Sequence, residues 1–315
     1  MTEEEIVQLS ELIKDKAADL GFDICGIARS RKMSERAEVL KNWVAEGMND
    51  RMSYLERNTE KRADPQLLFP GTRTLVVTGF SYYSDLLQKD PDAPVLSRYS
   101  YGQDYHVVIS EKLEKLLEYV KEIAPGCEGK VFVDSDPLFE KGWAQEAGLG
   151  WQGKHSLVIN REIGSFFFIG VLMLNIDLKT DDPFTEDLCG TCRRCIEACP
   201  TGAINSNRTI DARKCISNLT IENRGPIPED LIPKLRGRVY ACDICQEACP
   251  WNKNARPNSH PEFRIDERIA SMTAGGWKSL NEEQFAELFG KTSMKRIKFP
   301  DFKRNIEAAI RSRKI

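Results

Sequence analysis

The sequence predicts an α+β protein with three parts: an α/β domain over residues 1–180, a cysteine-rich module over 181–255 and a short helical, basic segment over 256–315. Three observations support this division. Helical and strand patterns alternate in the first part, eight of the ten cysteines lie between Cys189 and Cys249, and two amphipathic helical patterns follow. With 315 residues, 41% of them hydrophobic, the chain is long enough for one large core beside smaller units.

The first domain opens with a predicted helix. Thr2 and Glu5 form a capping-box pattern, and apolar residues at helical spacing continue until Gly21. Another helix is expected to begin at Pro137. Short apolar runs predict strands at 22–28, 74–80, 130–134 and 155–159, and amphipathic patterns predict helices at 33–47 and 106–123.

The cysteine-rich module contains the run "CGTCRRCIEACPTG" (189–202), spaced C-x2-C-x2-C-x3-C-P. In bacterial ferredoxins the first three thiolates of such a run bind one 4Fe-4S cluster and the fourth binds another. A second run, "CDICQEACP" (242–250), ends in the same C-x3-C-P but has Val239 where a third local cysteine would stand. We expect Cys215, the unassigned cysteine of this module, to take that place.

The spacing therefore predicts two 4Fe-4S clusters with four thiolates each. Structural zinc sites usually pair two separated C-x2-C knuckles, which makes zinc less favoured. Cys25 lies in an apolar strand and is expected to be a small buried hydrophobe, and Cys127 is expected to be a loop thiol. The predicted ligands are Cys189, Cys192, Cys195 and Cys249 for one cluster, and Cys199, Cys215, Cys242 and Cys245 for the other.

A two-cluster module alone would be an electron carrier. Here it follows a domain more than twice its size, which suggests that electrons are delivered to a catalytic centre in residues 1–180. The segment "GLGWQG" (148–153) in that domain satisfies the dinucleotide pattern G-x-G-x-x-G. Because a predicted helix precedes it and a strand follows, Gly148 is better interpreted as a helix C-cap.

The segment "DYHVVI" (104–109) begins like D-x-H-x-x-G, the motif in which a histidine replaces the lower base of cobalamin. Ile109 stands where glycine is required. If a corrinoid binds, we expect no histidine below its cobalt, and His106 to be a helix-start or core histidine.

Asp134 is the candidate acid. It closes an apolar strand at the rim of the predicted sheet, where partial burial would raise its pKa towards a value useful for proton donation. Asp136, just before Pro137, is the better candidate for capping the following helix.

Six blocks of the sequence together resemble the epoxyqueuosine reductase family. They run in order between about residues 55 and 255: "RYSYGQDYH", "VDSDPLFEKGWAQEAGLGWQGKH", "REIGSFFF", "CGTCRRCIEACPTGAI", "ARKCISNLT" and "YACDICQEACPWNK". The resemblance implies reduction of the epoxide of epoxyqueuosine, at the wobble position of a tRNA anticodon, to the alkene of queuosine. It also implies a base-off cobalamin between the first domain and the cysteine module, and a fold related to flavin nitroreductases.

The resemblance also implies roles for particular residues. Asp134 matches the proton donor of the family. Electrons would come through the two clusters from an external donor of the flavodoxin or ferredoxin type. The implied corrinoid contacts are Arg62, Ser97, Asp134, Ser217, Cys242 and Asp243.

The C-terminal segment is basic, although the whole chain has a net charge of only -3. Many relatives continue into HEAT-like repeats that help to hold tRNA, whereas this chain stops at Ile315. We therefore expect tRNA contacts from the cysteine module and from the basic residues of the tail, or else a merely solvated helix face. These residues are Lys291, Lys295, Arg296, Lys298, Lys303, Arg304, Arg311, Arg313 and Lys314.

Two alternative functions stay open at this point: a corrinoid reductive dehalogenase that acts on small organohalides, and a non-catalytic electron carrier.

The first residues lack the apolar stretch of a signal peptide, which predicts a cytoplasmic protein, expected to be a monomer. The apolar run 165–176 is too short to span a membrane and predicts a buried strand pair or core segment, so no membrane partner is expected.

Overall fold

The computed structural model describes residues 1–253 and 255–313 and mixes helices with strands along the chain. The strands are β1 (Ile24–Arg29), β2 (Thr74–Ser81), β3 (Val95–Leu96), β4 (Gly129–Phe132), β5 (Trp151–Gln152), β6 (Val158–Ile159), β7 (Phe167–Leu174) and β8 (Arg238–Tyr240). The helices are α1 (Glu3–Asp19), α2 (Ser34–Ala45), α3 (Thr59–Ala63), α4 (Tyr105–Ile123), α5 (Glu140–Glu146), α6 (Arg194–Ala198), α7 (Ile216–Ile221), α8 (Ile244–Glu247), α9 (Glu267–Ala270), α10 (Ala274–Ser279), α11 (Glu282–Phe289) and α12 (Phe299–Ser312). Short 3-10 helices lie at Ser53–Leu55, Pro65–Leu67, Arg98–Ser100, Ile232–Leu235, Pro250–Asn252, Pro261–Phe263 and Ser293–Arg296.

Most predicted elements of the first domain are confirmed, including the cap of α1. The Thr2 hydroxyl accepts from the Glu5 N–H at 3.2 Å, and the Glu5 carboxylate accepts from the Thr2 N–H at 2.7 Å. The predicted helix start at Pro137 is wrong, because α5 begins at Glu140. Asp136 does not cap it either: its carbonyl accepts from the Leu138 N–H at 2.8 Å in a turn that precedes the helix.

The central sheet of the first domain is antiparallel throughout. Its strand order is β1-β2-β7-β4, and β7 is the single long strand formed by the apolar run that suggested a strand pair. Thr74 lies opposite Leu174 and Ser81 opposite Phe167. The prediction of a mixed helix-and-sheet fold is confirmed, but the label α/β for this domain is wrong, since that class has parallel strands. The nitroreductase relation stays a prediction.

Side chains alternate across the sheet and build two cores. Val76 and Leu172 point to the face covered by α1 and α4, where Ile13 and Leu113 are fully buried. Leu75, Val77, Val171 and Met173 point to the opposite face, which packs against Trp143 of α5. The first domain therefore has three layers, and the loops that leave the sheet edge can meet the cysteine module.

The cysteine module and the C-terminal segment share a core with part of the first domain. Strand β3 pairs in parallel with β8, so residues before α4 are bonded to residues just before Cys242. Helices α10 to α12 pack on this pair. The predicted apolar face of the last helix is buried, as expected, at Phe302, Ile306 and Ile310. Each such side chain contributes about 1.5–3 kcal/mol when buried. The limits 1–180, 181–255 and 256–315 stay a prediction.

Most of the basic side chains of the C-terminal segment bind partners within the protein. Four of the nine cations form ion pairs: Lys295 with Asp104, Arg296 with Glu222, Arg304 with Asp301, and Arg311 with Glu229. Lys303 and Arg313 donate to backbone carbonyls, and Lys314 lies outside the described residues. Much of the positive charge of this segment is therefore engaged in contacts within the fold.

Among the described residues, no helix combines the length and the apolar character that a membrane span requires.

Candidate active site

A cavity of about 470 Å³ lies between the first domain and the cysteine module. The first domain contributes aromatic and titratable side chains to it, among them Tyr105, Asp134, Glu140 and Phe168. The module contributes four thiols on the other side. These thiols are Cys199, Cys215, Cys242 and Cys245.

A second, smaller cavity of about 50 Å³ is lined by the other four module cysteines, Cys189, Cys192, Cys195 and Cys249. The structure thus gathers the eight cysteines in the same two sets of four that the spacing predicts. In residues 1–253 and 255–313 no group of three or more His, Cys, Asp or Glu side chains is placed to hold one metal ion. Each set has four cysteines, the number of thiolates that a 4Fe-4S cluster uses.

The last cysteines of the two runs, Cys199 and Cys249, each line the cavity of the opposite run's thiols, and they have matching local structure. Cys199 directly follows α6, Cys249 follows α8, and each has an extended backbone before a proline. The proline stops helix formation and turns the chain away, so each thiol leaves its own helix and reaches the opposite set. Cys25 and Cys127 lie in the first domain, where burial raises the pKa of the first to about 12 and of the second to about 11.

Asp134 lies at the cavity with a half-exposed side chain and two hydrogen-bond partners from the start of α4. Its Oδ2 atom accepts from the Tyr105 hydroxyl at 2.7 Å and lies 3.2 Å from Nε2 of His106. Its backbone N–H donates to the Glu140 carboxylate. With φ at 51° the Asp134 backbone is left-handed, a conformation that aspartate and asparagine tolerate better than most residues.

The prediction that burial raises the pKa of Asp134 is wrong. Burial does act in that direction, but the hydrogen bonds from His106 and Tyr105 stabilise the carboxylate and leave its pKa below the usual value. The same contacts raise the pKa of His106, against the effect of its own burial. In the resting site the proton therefore resides on the histidine side of the pair.

His106 is at the start of α4, as predicted, and both its ring nitrogens are engaged. Nδ1 lies 2.7 Å from the carboxylate of Asp104, and Nε2 faces Asp134. The buried Asp104 also caps α4 and binds the Lys295 ammonium at 2.8 Å. A chain of charged groups thus runs from the C-terminal segment to the cavity, and neither nitrogen of this ring is free to bind a metal.

Sequence reasoning missed Glu140 and Lys141. Both are at the start of α5 and line the cavity, which leaves Glu140 half-buried and exposes part of Lys141. Burial, together with the charge of Asp134, raises the pKa of Glu140 to about 8. Burial lowers the pKa of Lys141. The signal in the sequence was that these two charged residues directly precede the buried stretch Gly142–Ala144.

The implied corrinoid contacts do not all face the cavity in the same way. Ser97, Ser217, Cys242 and Asp243 line it. The Ser97 hydroxyl donates to Asp243, so these two side chains bind each other across the boundary between domain and module. Arg62 is not among the lining residues.

Arg62 lies near the titratable groups of the cavity. Burial lowers its pKa, and the charges of Tyr54, Glu140 and Asp134 oppose this effect, so the guanidinium is close to them. Its buried Nε atom has no hydrogen-bond partner among the described residues.

The segment 148–153 has the structure expected of a helix end. Gly148 follows α5 with φ at 74°, and its N–H donates to the Gln145 carbonyl at 3.1 Å. Strand β5 comes next, so the order is helix, turn, strand. This is the reverse of a dinucleotide-binding fingerprint.

Comparison with known proteins decides the family. Residues 62–135 match the family model "Epoxyqueuosine reductase QueG, DUF1730", and residues 188–252 match a 4Fe-4S double cluster binding domain. The epoxyqueuosine reductase of Cyclobacterium marinum is 41% identical over 298 residues, which cover 94% of this chain and 95% of that protein. This chain belongs to the epoxyqueuosine reductase family.

Solved structures of epoxyqueuosine reductases share the fold. One of them, determined with an epoxyqueuosine-modified tRNA-Tyr stem loop, superposes with a TM-score of 0.90 at 30% identity, over 98% of this chain and 82% of that one. The Bacillus subtilis enzyme, with its catalytic aspartate loop swung out of the active site, gives 0.88 at 30% identity over the same shares. A catabolic reductive dehalogenase shares only the fold, with a TM-score of 0.50 at 16% identity, over 96% of this chain and 38% of that one.

Membership of the epoxyqueuosine reductase family makes this chain an oxidoreductase with a 4Fe-4S double cluster domain. The non-catalytic carrier is therefore not supported. The dehalogenase alternative has only a fold likeness in its favour.

The assignment of Cys215 to the second set can be tested by iron analysis. We expect Cys215→Ser to lose about half of the iron and one of two cluster signals in electron paramagnetic resonance, since each cluster needs four thiolates. The Cys25→Ser variant, whose substitution lies outside both sets, should keep its full iron content. Full iron content in Cys215→Ser would contradict the assignment.

Proposed function

We propose that this chain reduces epoxyqueuosine to queuosine at the wobble position of tRNA, the last step of queuosine biosynthesis, using cobalamin and two 4Fe-4S clusters. One observation carries the proposal. The same cavity has titratable groups, Asp134 and Glu140, on one side and a set of four thiols on the other. A reduction that consumes protons needs both kinds of group at one place.

The two sets of thiols fit the clusters. In each set all four ligands are cysteines, the donor type that such clusters use, and the sets line two separate cavities. The cluster held by Cys199, Cys215, Cys242 and Cys245 would adjoin the larger cavity and could pass electrons into it. We infer that an external flavodoxin or ferredoxin type donor supplies these electrons to a cytoplasmic monomer.

Residues that line the larger cavity could hold a corrinoid. Tyr105 and Phe168 stack face to face at 4.1 Å in its wall and offer an aromatic surface to a flat macrocycle. Nε2 of His155, which lines the cavity, is buried and has no partner in the described part of the chain, so a side-chain amide of the corrinoid could bind it. Because both ring nitrogens of His106 are engaged, this histidine would not be a ligand of a bound corrinoid. When bound, cobalamin supplies a metal centre that takes up single electrons and passes them to the substrate.

The reaction requires two protons. Conversion of an epoxide into an alkene breaks two C–O bonds, and the oxygen leaves as water once two electrons and two protons have been added. Two carboxyl groups that line the cavity have opposite pKa shifts: the pKa of Asp134, which His106 contacts, is lowered, and that of Glu140 is raised. Groups whose pKa values are pushed apart in one site are typical of acid and base partners.

Asp134 would transfer the first proton. Its Oδ2 atom is close to Nε2 of His106, and the raised pKa of the imidazole keeps a proton available there. As the oxygen of the substrate gains negative charge, the proton can pass through the carboxyl group, and Tyr105 holds that group in place. Asp104 stabilises the imidazolium from the other side.

Glu140 would supply the second proton. With its pKa raised to about 8, the side chain is mostly protonated at neutral pH. It also accepts the Asp134 backbone N–H, so it positions the loop of the first acid. The charged and titratable groups near it are Arg62, Tyr105, Asp134, Asp136 and Lys141.

The tRNA would have to present its wobble nucleotide outside the base stack, since the cavity is enclosed between two parts of the chain. Much of the C-terminal charge is already paired within the protein. We therefore propose that the surface of the cysteine module contributes more to tRNA binding than the tail.

The decisive experiment incubates the reconstituted protein with cobalamin, a strong reductant and tRNA that carries epoxyqueuosine. We expect mass analysis of the nucleosides to detect queuosine, and only when cobalamin is present. A halogenated phenol, as a control substrate, should stay intact. Formation of queuosine without cobalamin would reject the proposed cofactor, and dehalogenation without queuosine would favour the alternative.

Asp134→Asn should abolish proton transfer while it preserves the loop. Asparagine tolerates the left-handed backbone and keeps an oxygen for Tyr105, but it cannot carry the proton. We expect kcat to fall by about 10²–10⁴-fold, with cobalamin and iron contents unchanged. Asp136→Asn, two residues along the same loop, is the matched control. Wild-type turnover in Asp134→Asn would remove the residue from the mechanism.

Glu140→Gln keeps an acceptor for the Asp134 N–H but removes a proton. In the wild type, kcat should fall as the pH rises through about 8, because the protonated form of Glu140 is the active one. The variant should have a lower kcat without that decline, as measured in pH profiles under substrate saturation. A decline near pH 8 that persists in the variant would belong to His106 and exclude Glu140.

A further inference from the structure

The segment after Gly148 reaches the four cysteines that line the smaller cavity. Trp151 in β5 is 2% exposed, and its indole N–H donates to the Sγ atom of Cys189 at 3.4 Å. Its ring stacks on Phe184 at 5.4 Å and meets the edge of Trp251 at 4.9 Å. The indole is therefore fixed, and its N–H is directed at a thiol that is not part of its own domain.

Lys154, three residues later, binds the same loop through its backbone. Its Nζ atom donates to the carbonyls of Gly190 at 2.6 Å and Cys192 at 2.9 Å, and the side chain lines the cavity of the four thiols. A cation and an N–H donor from the first domain thus both lie against the loop that carries Cys189 and Cys192.

Both contacts have a defined effect on a bound cluster. Reduction adds one negative charge to a site surrounded by apolar side chains, here Trp151, Ile159 and Trp251. Hydrogen bonds to sulfur and a nearby positive charge stabilise that charge, and such contacts belong to the factors that set the potentials of iron–sulfur clusters. Their removal should make the cluster harder to reduce.

We propose that Trp151 and Lys154 form a redox-tuning contact, through which the first domain raises the reduction potential of the cluster held by Cys189, Cys192, Cys195 and Cys249. This inference rests on the proposed function, since it requires a 4Fe-4S cluster at these thiols. Both residues are positioning residues, because they act on the cluster through its ligands and do not touch the substrate. The contact also ties the potential of the cluster to correct docking of the cysteine module.

Trp151→Phe is the sharpest variant. Phenylalanine keeps the aromatic contacts with Phe184 and Trp251 but has no N–H. We expect the midpoint potential of the first cluster to fall by up to about 59 mV, a tenfold change in its reduction equilibrium for a one-electron couple. The potential of the other cluster should not change. Redox titration of the reconstituted protein, followed by electron paramagnetic resonance, measures both.

Trp143→Phe is the matched control. Trp143 is fully buried in the same domain, and its indole N–H has no partner among the described residues. The control should leave both potentials unchanged. The Cys192→Ser variant, which lacks one ligand of the first set, identifies which signal belongs to which cluster.

Lys154→Met provides an independent second variant, because it retains a long apolar side chain and removes the charge. It should lower the same potential. Unchanged potentials in both Trp151→Phe and Lys154→Met, at full iron content, would overturn the tuning contact and leave the proposed function intact. A wild-type protein without two clusters would instead overturn the proposed function.

Discussion

The structure depends on one buried carboxylate between two cysteines of the module. Asp243, 1% exposed, accepts from the Ser97 hydroxyl and from the Arg98 backbone N–H at 2.8 Å, and the Arg98 guanidinium lies 3.3 Å away. That guanidinium also binds Glu247 of α8 at 2.8 Å. Loss of one partner of such a buried pair costs about 3–5 kcal/mol. The position of the second set of thiols relative to the sheet is fixed by this contact.

The fixed position gives the cavity its chemical asymmetry. On the sheet side, hydrogen bonds outweigh burial and lower the pKa of Asp134, whereas burial and the charge of Asp134 outweigh one backbone hydrogen bond and raise the pKa of Glu140. Two carboxyl groups joined by one backbone hydrogen bond thus have opposite pKa shifts. On the module side, four thiols face the same cavity. In the proposed function, electrons and protons would meet in this one space, because residues of both the domain and the module line it.

Features that depend on short spacings along the chain could be predicted from the sequence, whereas features that depend on contacts between distant residues could not. The cysteine sets follow from local runs, and Cys215 could be added by counting. The pKa of Asp134 could not be predicted, because Tyr105 and His106 lie almost thirty positions away along the chain. The charges of the C-terminal segment suggested free cations for the same reason, since their partners, such as Glu222 and Glu229, belong to the module.

The ion pair between Lys295 and Asp104 has a consequence for the modularity of the protein. Asp104 contacts Nδ1 of His106, the ring nitrogen that Asp134 does not contact. The counter-ion of Asp104 is Lys295, which belongs to the C-terminal segment. The C-terminal segment is therefore no detachable appendage. A fragment that ended after the second cysteine run would retain every thiol and both acids, yet it would lack Lys295, the cation paired with the carboxylate that binds His106.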